Sequence, residues 1–209
     1  YTVISTRSYA FADCFALTNV TIGDGITSIG EEAYADCYSL TNVAIPNSVT
    51  NMGYSAFSDC SHLANVVMGN GVTTISSTSF ENCPNLDSVF CDGNAPSFVD
   101  STVFDNSPAT TVYYLPGTTG WNATFAGRPT MLWLPQMQTT ETSFGGETSQ
   151  FGFNLNWASG QTVVVEACTN LINPDWQPVQ TNTLTTGSAY FRDPQWTNYP
   201  GRFYRLRSL

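Results

Sequence analysis

The chain has 209 residues, room for one large domain or two small ones with a real hydrophobic core, which excludes a disulfide-stapled miniprotein. Apolar residues make up 42% and charged residues 11%, the composition of a folded chain with a mostly uncharged polar surface. Six basic residues, all Arg, against sixteen acidic ones leave a formal charge of -10, which repels phosphate backbones and anionic lipid and excludes nucleic acid as a partner. No window approaches the roughly 18 apolar residues of a membrane span, and the opening on Tyr1 rather than on a leader reads as a processed or excised soluble fragment.

From its start the chain repeats itself. Cys14, Cys37, Cys60 and Cys83 lie 23 residues apart at every step, and the same offset links Leu17, Leu40, Leu63 and Leu86, then Val20, Val43, Val66, Val89 and Val112, then Phe11, Tyr34, Phe57 and Phe80. Each unit carries apolar-x-x-apolar-x-apolar (Leu17, Val20, Ile22; Leu40, Val43, Ile45), the strand signature of a leucine-rich repeat. About five coils of a repeat solenoid with short parallel strands follow. Turn residues such as Pro46-Asn47-Ser48 and Gly69-Asn70-Gly71 mark one recurring corner. The return path through Ile26, Ile29, Ala33 and Tyr34 has apolar spacing closer to a short helical turn than to a strand.

One cysteine per coil reads as a ladder of buried thiols that satisfy loop backbone groups, with Asn106 at the equivalent place in the fifth coil. Cross-linking between neighbouring coils stays open on distance, and zinc is disfavoured because its thiols come in C-x-x-C pairs. Asp13, Asp36, Asp59 and Asp105 form a second column with Asn82 in the gap; calcium is the sharper reading and solvated turn caps the blander one, since one carboxylate per coil supplies too few oxygens. The single histidine, His62, has no G-x-S-x-G serine to serve, and Glu31-Glu32 are adjacent on a turn instead of facing across a cleft. No nucleophile, base or metal cluster is visible, so an enzyme is not expected, nor a cofactor.

The outward strand positions are the candidate binding site. In register they form one row of Asn19, Asn42, Asn65, Ser88 and Thr111, and a second of Thr21, Ala44, Val67, Phe90 and Tyr113 that grows more apolar along the stack. Such a strip suits a protein or glycan ligand, unless Phe90 and Tyr113 are covered by a closing segment or a second domain. Tyr1 falls inside the first coil with no capping repeat before it, so the stack end is expected to expose apolar columns. A neighbouring copy docking there head-to-tail would build a filament or surface layer, the alternative function.

The string Ser28-Ile29-Gly30-Glu31-Glu32-Ala33-Tyr34-Ala35-Asp36-Cys37, followed by Leu40-Thr41-Asn42-Val43-Ala44-Ile45-Pro46, resembles the BspA-like leucine-rich repeat of bacterial surface proteins. The likeness covers residues 3 to 135, with Thr6, Ser79 and Asn106 as departures. It implies a secreted or cell-surface solenoid for adhesion or protein binding, without a catalytic centre.

Residues 136–149, rich in Thr, Ser and Gly, read as a linker between the solenoid at 1–135 and a second domain at 150–209. Beyond it, alternating runs at Phe151–Leu155, Val163–Cys168, Gly187–Phe191 and Arg202–Leu206, with turns between, predict about six strands of a small antiparallel β-sandwich. The string Glu166-Ala167-Cys168-Thr169-Asn170-Leu171, with Trp176 and Pro200–Leu206, resembles a C-terminal β-domain of secreted proteins from environmental bacteria and implies an extracellular accessory domain.

Overall fold

A computed structural model describes residues 5–138, 145–147 and 150–209, and the chain divides into two compact units, Tyr1–Trp133 and Leu134–Leu209. In chain order the first unit gives β1 (Ser28–Ile29), β2 (Asn42–Ile45), β3 (Asn51–Met52), β4 (Asn65–Met68), β5 (Thr74–Ile75), β6 (Ser88–Cys91), β7 (Phe98–Val99) and β8 (Thr111–Tyr114), then a closing hairpin of β9 (Thr124–Phe125) and β10 (Arg128–Leu132). Strands β2, β4, β6, β8 and β10 pair in parallel in that order, and β9 runs antiparallel on β10. Strands β1, β3, β5 and β7 form a second parallel sheet, and bridges from Ser5 to Ser28 and from Asn19 to Asn42 carry both sheets into the first coil. The result is a parallel solenoid with a 23-residue step, as Asn42 opposite Asn65 and Asn65 opposite Ser88 show.

Side-chain alternation sorts each coil. Val43 and Ile45 are buried while Asn42 and Ala44 are exposed, because successive strand residues face opposite sides. Tyr34, Phe57, Phe80 and Phe104 are buried, and with the exposed Phe11 at the open end they stack nearly parallel at ring separations of 5.1, 5.1, 5.5 and 5.8 Å. The offset of one coil from the next thus sets the stacking distance of an aromatic column.

The cysteines are free thiols, and three of them do the same job. Cys37, Cys60 and Cys83 each donate from Sγ, at 3.3 Å, to a carbonyl of the preceding coil: those of Phe11, Tyr34 and Phe57. Burial pushes the Cys37 thiol up to about 11 and the Cys83 thiol up to about 12, so these sulfurs stay protonated and serve as donors. At the end of the column the sequence count needs correcting. The fifth member is Ser107, whose Oγ donates to the Phe80 carbonyl at 2.8 Å, and not Asn106. Asn106 belongs with Asp13, Asp36, Asp59 and Asn82, all at φ between 53° and 59°, so the aspartate column ends on Asn106 and not on Asp105. Asp and Asn tolerate this left-handed conformation better than most side chains, which accounts for the column without a metal.

The slip has a physical origin. Ile75 pairs with Val99, a step of 24, because the corner at Asn94–Pro96 holds one extra residue. The chain gives it back between Thr110, which takes the place of Leu86 one coil on, and Thr111, which pairs with Ser88 at the normal step. The return path also differs from the helical turn its spacing suggests. Ser28–Ile29 is a strand, residues 31–36 are turns, and positive φ at Glu32 and Asp36 (48° and 58°) stops any helix from propagating. Of the sequence departures, the buried Ser79 hydroxyl donates to the carbonyls of Gly53 and Ser76, and Thr6 Oγ1 accepts the Gly30 N–H.

The last coil is closed by an arginine. Arg128 Nη2 donates to the Phe104 carbonyl at 2.7 Å, in the place that a thiol or hydroxyl of a further coil would fill. Just after β6, Asp92 has a buried Oδ1 without a hydrogen-bond partner among the described residues, and burial pushes its carboxyl up to about 6 from an ordinary 3.8. A carboxyl raised in the fold carries no penalty below its unfolded value and the full penalty above its folded one. Asp92→Asn should therefore stabilise the first unit by about 1 to 2 kcal/mol above pH 6.5, with the gain fading toward pH 4. Urea midpoints of both proteins across that range check it.

In the second unit β13 (Gln150–Asn156) is central to one antiparallel sheet, with β11 (Gln136–Gln138) and β12 (Gly145–Glu147) along one side and β16 (Ser188–Asp193) along the other. Strand β14 (Thr162–Cys168), between β15 (Gln177–Thr183) and β17 (Phe203–Ser208), makes a second antiparallel sheet. Residues 136–138 and 145–147, linker by composition, are thus strands that pair with β13, and the remainder of that stretch lies outside the described residues. Tyr204 joins the sheets: its ring stacks on Phe151 at 5.0 Å and meets Phe153 and Phe191 edge-on, while its hydroxyl donates to Asp193 Oδ2 at 2.8 Å. Buried Glu166 accepts from Arg205 and Arg207, whose guanidiniums hold its carboxyl below the usual range.

Candidate functional site: the strand face

The solenoid register places the outward residues in two rows. Asn19, Asn42, Asn65, Ser88 and Thr111 stand opposite one another from strand to strand, as do Ala44, Val67, Phe90 and Tyr113; Thr21 lies one step before Ala44. The second row runs on to Met131, which pairs with Tyr113 and is 55% exposed. Sequence counting misses Met131 because β10 follows β8 by 18 residues, although Thr130-Met131-Leu132-Trp133 has strand alternation.

Accessibility falls from β2 to β8 and rises again at Met131. Asn19, Thr21, Asn42 and Ala44 are exposed, Asn65, Val67, Phe90, Thr111 and Tyr113 are half-buried, and Ser88 is buried with its hydroxyl donated to Asp87 Oδ2 at 2.8 Å. Phe90 stacks on Tyr113 at 5.1 Å and is met by Trp133 at 4.6 Å, so residues just after the closing strand partly cover the apolar end. At the open end the amides form a chain: Asn65 Nδ2 donates to Asn42 Oδ1 at 3.0 Å, and Asn42 Nδ2 to Thr41 Oγ1 at 3.1 Å. Ordered amides of this kind present donors and acceptors at fixed spacing to a partner.

Other polar residues have structural roles. His62 Nδ1–H donates to the Tyr38 carbonyl at 2.6 Å, as Asn85 Nδ2 does to the Ser61 carbonyl at 2.7 Å, so the histidine ties one coil to the next. Among the described residues no three His, Cys, Asp or Glu side chains converge as metal ligands, and no helix is long and apolar enough to cross a membrane.

Two parallel sheets, a recurring 23-residue step and inward Leu, Val and Phe columns define a leucine-rich repeat solenoid. The chain belongs to the BspA type leucine rich repeat region family, whose profile matches residues 2–122 in six copies. Among solved structures, a leucine-rich repeat protein from Bacteroides ovatus is similar at 31% identity over 42% of this chain and 23% of its own, with a TM-score of 0.41. A leucine-rich repeat protein of T. pallidum is 29% identical over 54% of this chain and 46% of its own, again at 0.41. A leucine rich cell surface protein from Faecalibacterium prausnitzii is 19% identical over 56% and 27%, also at 0.41. The chain therefore spans less than half the length of each of these structures. No curated protein matches it.

Proposed function

We propose that the chain is a non-catalytic adhesion or recognition module, displayed outside the cell, whose strand face binds a protein partner. The observation that carries this reading is that the outward strand side chains are themselves uncharged, the exposed Asp87 carboxylate beside them being bonded to Ser88. None of Asn19, Thr21, Asn42, Ala44, Asn65, Val67, Phe90, Thr111, Tyr113 or Met131 is charged at neutral pH, in a chain of formal charge -10. A broad strip low in charge, with amides at one end and rings at the other, has the make-up of an interface core, where charge is depleted and aromatic residues are enriched. Membership of the BspA type family supports a binding role over a chemical one.

The test is binding of the purified chain to a panel of immobilised extracellular-matrix proteins. Val67→Arg and Ala44→Arg should weaken any partner found by at least tenfold, while Glu31→Arg, on an exposed turn, should leave it unchanged. Retained binding in both strand-face variants would remove the site from this face. Antibody labelling of intact cells checks the location.

A further inference from the structure

A second ring column runs along the corner just before the strands, and it is interrupted. Phe15 and Tyr38 stack there at 5.1 Å, 11° from parallel. The next coil places Ser61 at the same position, fixed by the same short turn: Phe15 N–H to Asp13, Tyr38 N–H to Asp36 and Ser61 N–H to Asp59 carbonyls. Pro84 follows one coil further on. Two coil steps, about 10 Å at the usual strand spacing, therefore separate the tyrosine ring from the proline ring, with the Ser61 hydroxymethyl in the column between them and its Oγ 3.4 Å from His62 Nδ1. A shallow, open depression of about 510 Å³ lies at this gap, lined by Tyr38, Asp59, Ser61, Asn82, Pro84 and Asn106.

The gap has the thickness of one ring. A flat guest seated over Ser61 would lie about 5 Å from Tyr38, the distance at which Phe15 already stacks on the other side of that ring. Its floor is polar and ordered. Asn82 Nδ2 donates to Asp59 Oδ1 at 3.1 Å, and Asn106 Nδ2 donates to Asn82 Oδ1 at 2.9 Å. This chain of bonds leaves one carboxylate oxygen of Asp59 and one N–H on each amide to meet the rim of a guest. The tyrosine wall is held as well, since its hydroxyl donates to Asp36 Oδ1 at 2.8 Å.

We infer that this interrupted ring column is a binding slot for a single neutral pyranose residue of a glycan, its C–H face on Tyr38 and its hydroxyls on Asp59, Asn82 and Asn106. A wholly apolar ring would leave the floor groups without partners, and a phosphorylated or acidic guest would meet Asp36 and Asp59. A pyranose satisfies both conditions, with an apolar face for the wall and hydroxyls that donate and accept around its rim. The slot is separate from the strand face and does not depend on what binds there.

Ser61→Tyr tests it directly, because the new ring would complete the column Phe15, Tyr38, 61 and leave a folded protein with the slot filled. Saturation-transfer NMR with the methyl glycosides of glucose, galactose, mannose and N-acetylglucosamine is the readout. At least one glycoside should receive saturation from the wild-type chain, Ser61→Ala should bind it within about twofold of wild type, and Ser61→Tyr should bind it at least tenfold more weakly. Tyr38→Ala, which removes a wall but leaves the gap open, should also lose at least tenfold, so the test survives misfolding of the filled variant. Glu31→Arg, on an exposed turn, should leave glycoside binding unchanged. No response from any of the four glycosides, or undiminished binding by Ser61→Tyr or Tyr38→Ala, overturns the assignment.

Discussion

Replacing Phe57 by Ala should destabilise the first unit by about 3 to 5 kcal/mol, a large share of the stability of a domain this size. The side chain is fully buried in the middle of the ring column, stacked on Tyr34 at 5.1 Å and on Phe80 at 5.5 Å, so its removal leaves a cavity with rings on both sides. In a solenoid each coil contacts only its neighbours, and loss of one central interface uncouples the coils before it from those after it. The expected denaturation curve is therefore broader as well as shifted. An unchanged midpoint in urea, followed by circular dichroism, would show that the stacked rings contribute little to the array.

The second large effect belongs to the closing end. Arg128→Ala takes away the donor to the Phe104 carbonyl, bonded at 2.7 Å, and should destabilise the last coil by about 1 to 3 kcal/mol, the range for leaving a buried acceptor unpaired. The consequence differs from that at Phe57, because fraying starts from an end and need not reach the centre. Amide hydrogen exchange should accelerate in β8, β9 and β10 while β2 and β4 keep their protection. Equal acceleration through all five strands would mean that the unit opens only as a whole and that the arginine is not a local cap.

How much of this was legible in the sequence depends on how regular the residues are. The inward Leu and Val columns hold a step of 23 from Leu17 to Leu86 and from Val20 to Val112, and they locate the main sheet and its outward rows directly. The second sheet was hidden because its strands are two residues long, too short for alternation to show, and are held by pairing with the next coil instead of by their own pattern. Ser107 escaped the cysteine column because a hydroxyl can replace a thiol as donor, while the extra residue at Asn94–Pro96 displaced the count. Strand β15, Gln-Pro-Val-Gln-Thr-Asn-Thr, is mostly polar and exposed and contains a proline, so nothing in its composition marks a strand. The strand-face rows were readable residue by residue, but their extension to Met131 and the cover over Phe90 were not. Both depend on where the closing hairpin lands, which periodicity does not encode.

The added residue at Asn94–Pro96 and its return before Thr111 have a practical meaning for anyone rebuilding this scaffold. Length changes at that corner while Ser88 and Thr111 remain directly opposite, but Asn94 Oδ1 accepts the Thr119 N–H and Ala95 N–H donates to the Thr119 carbonyl, so a foreign loop set there must keep both bonds. A tag or epitope that keeps them would be carried beside the strand face without shifting its register.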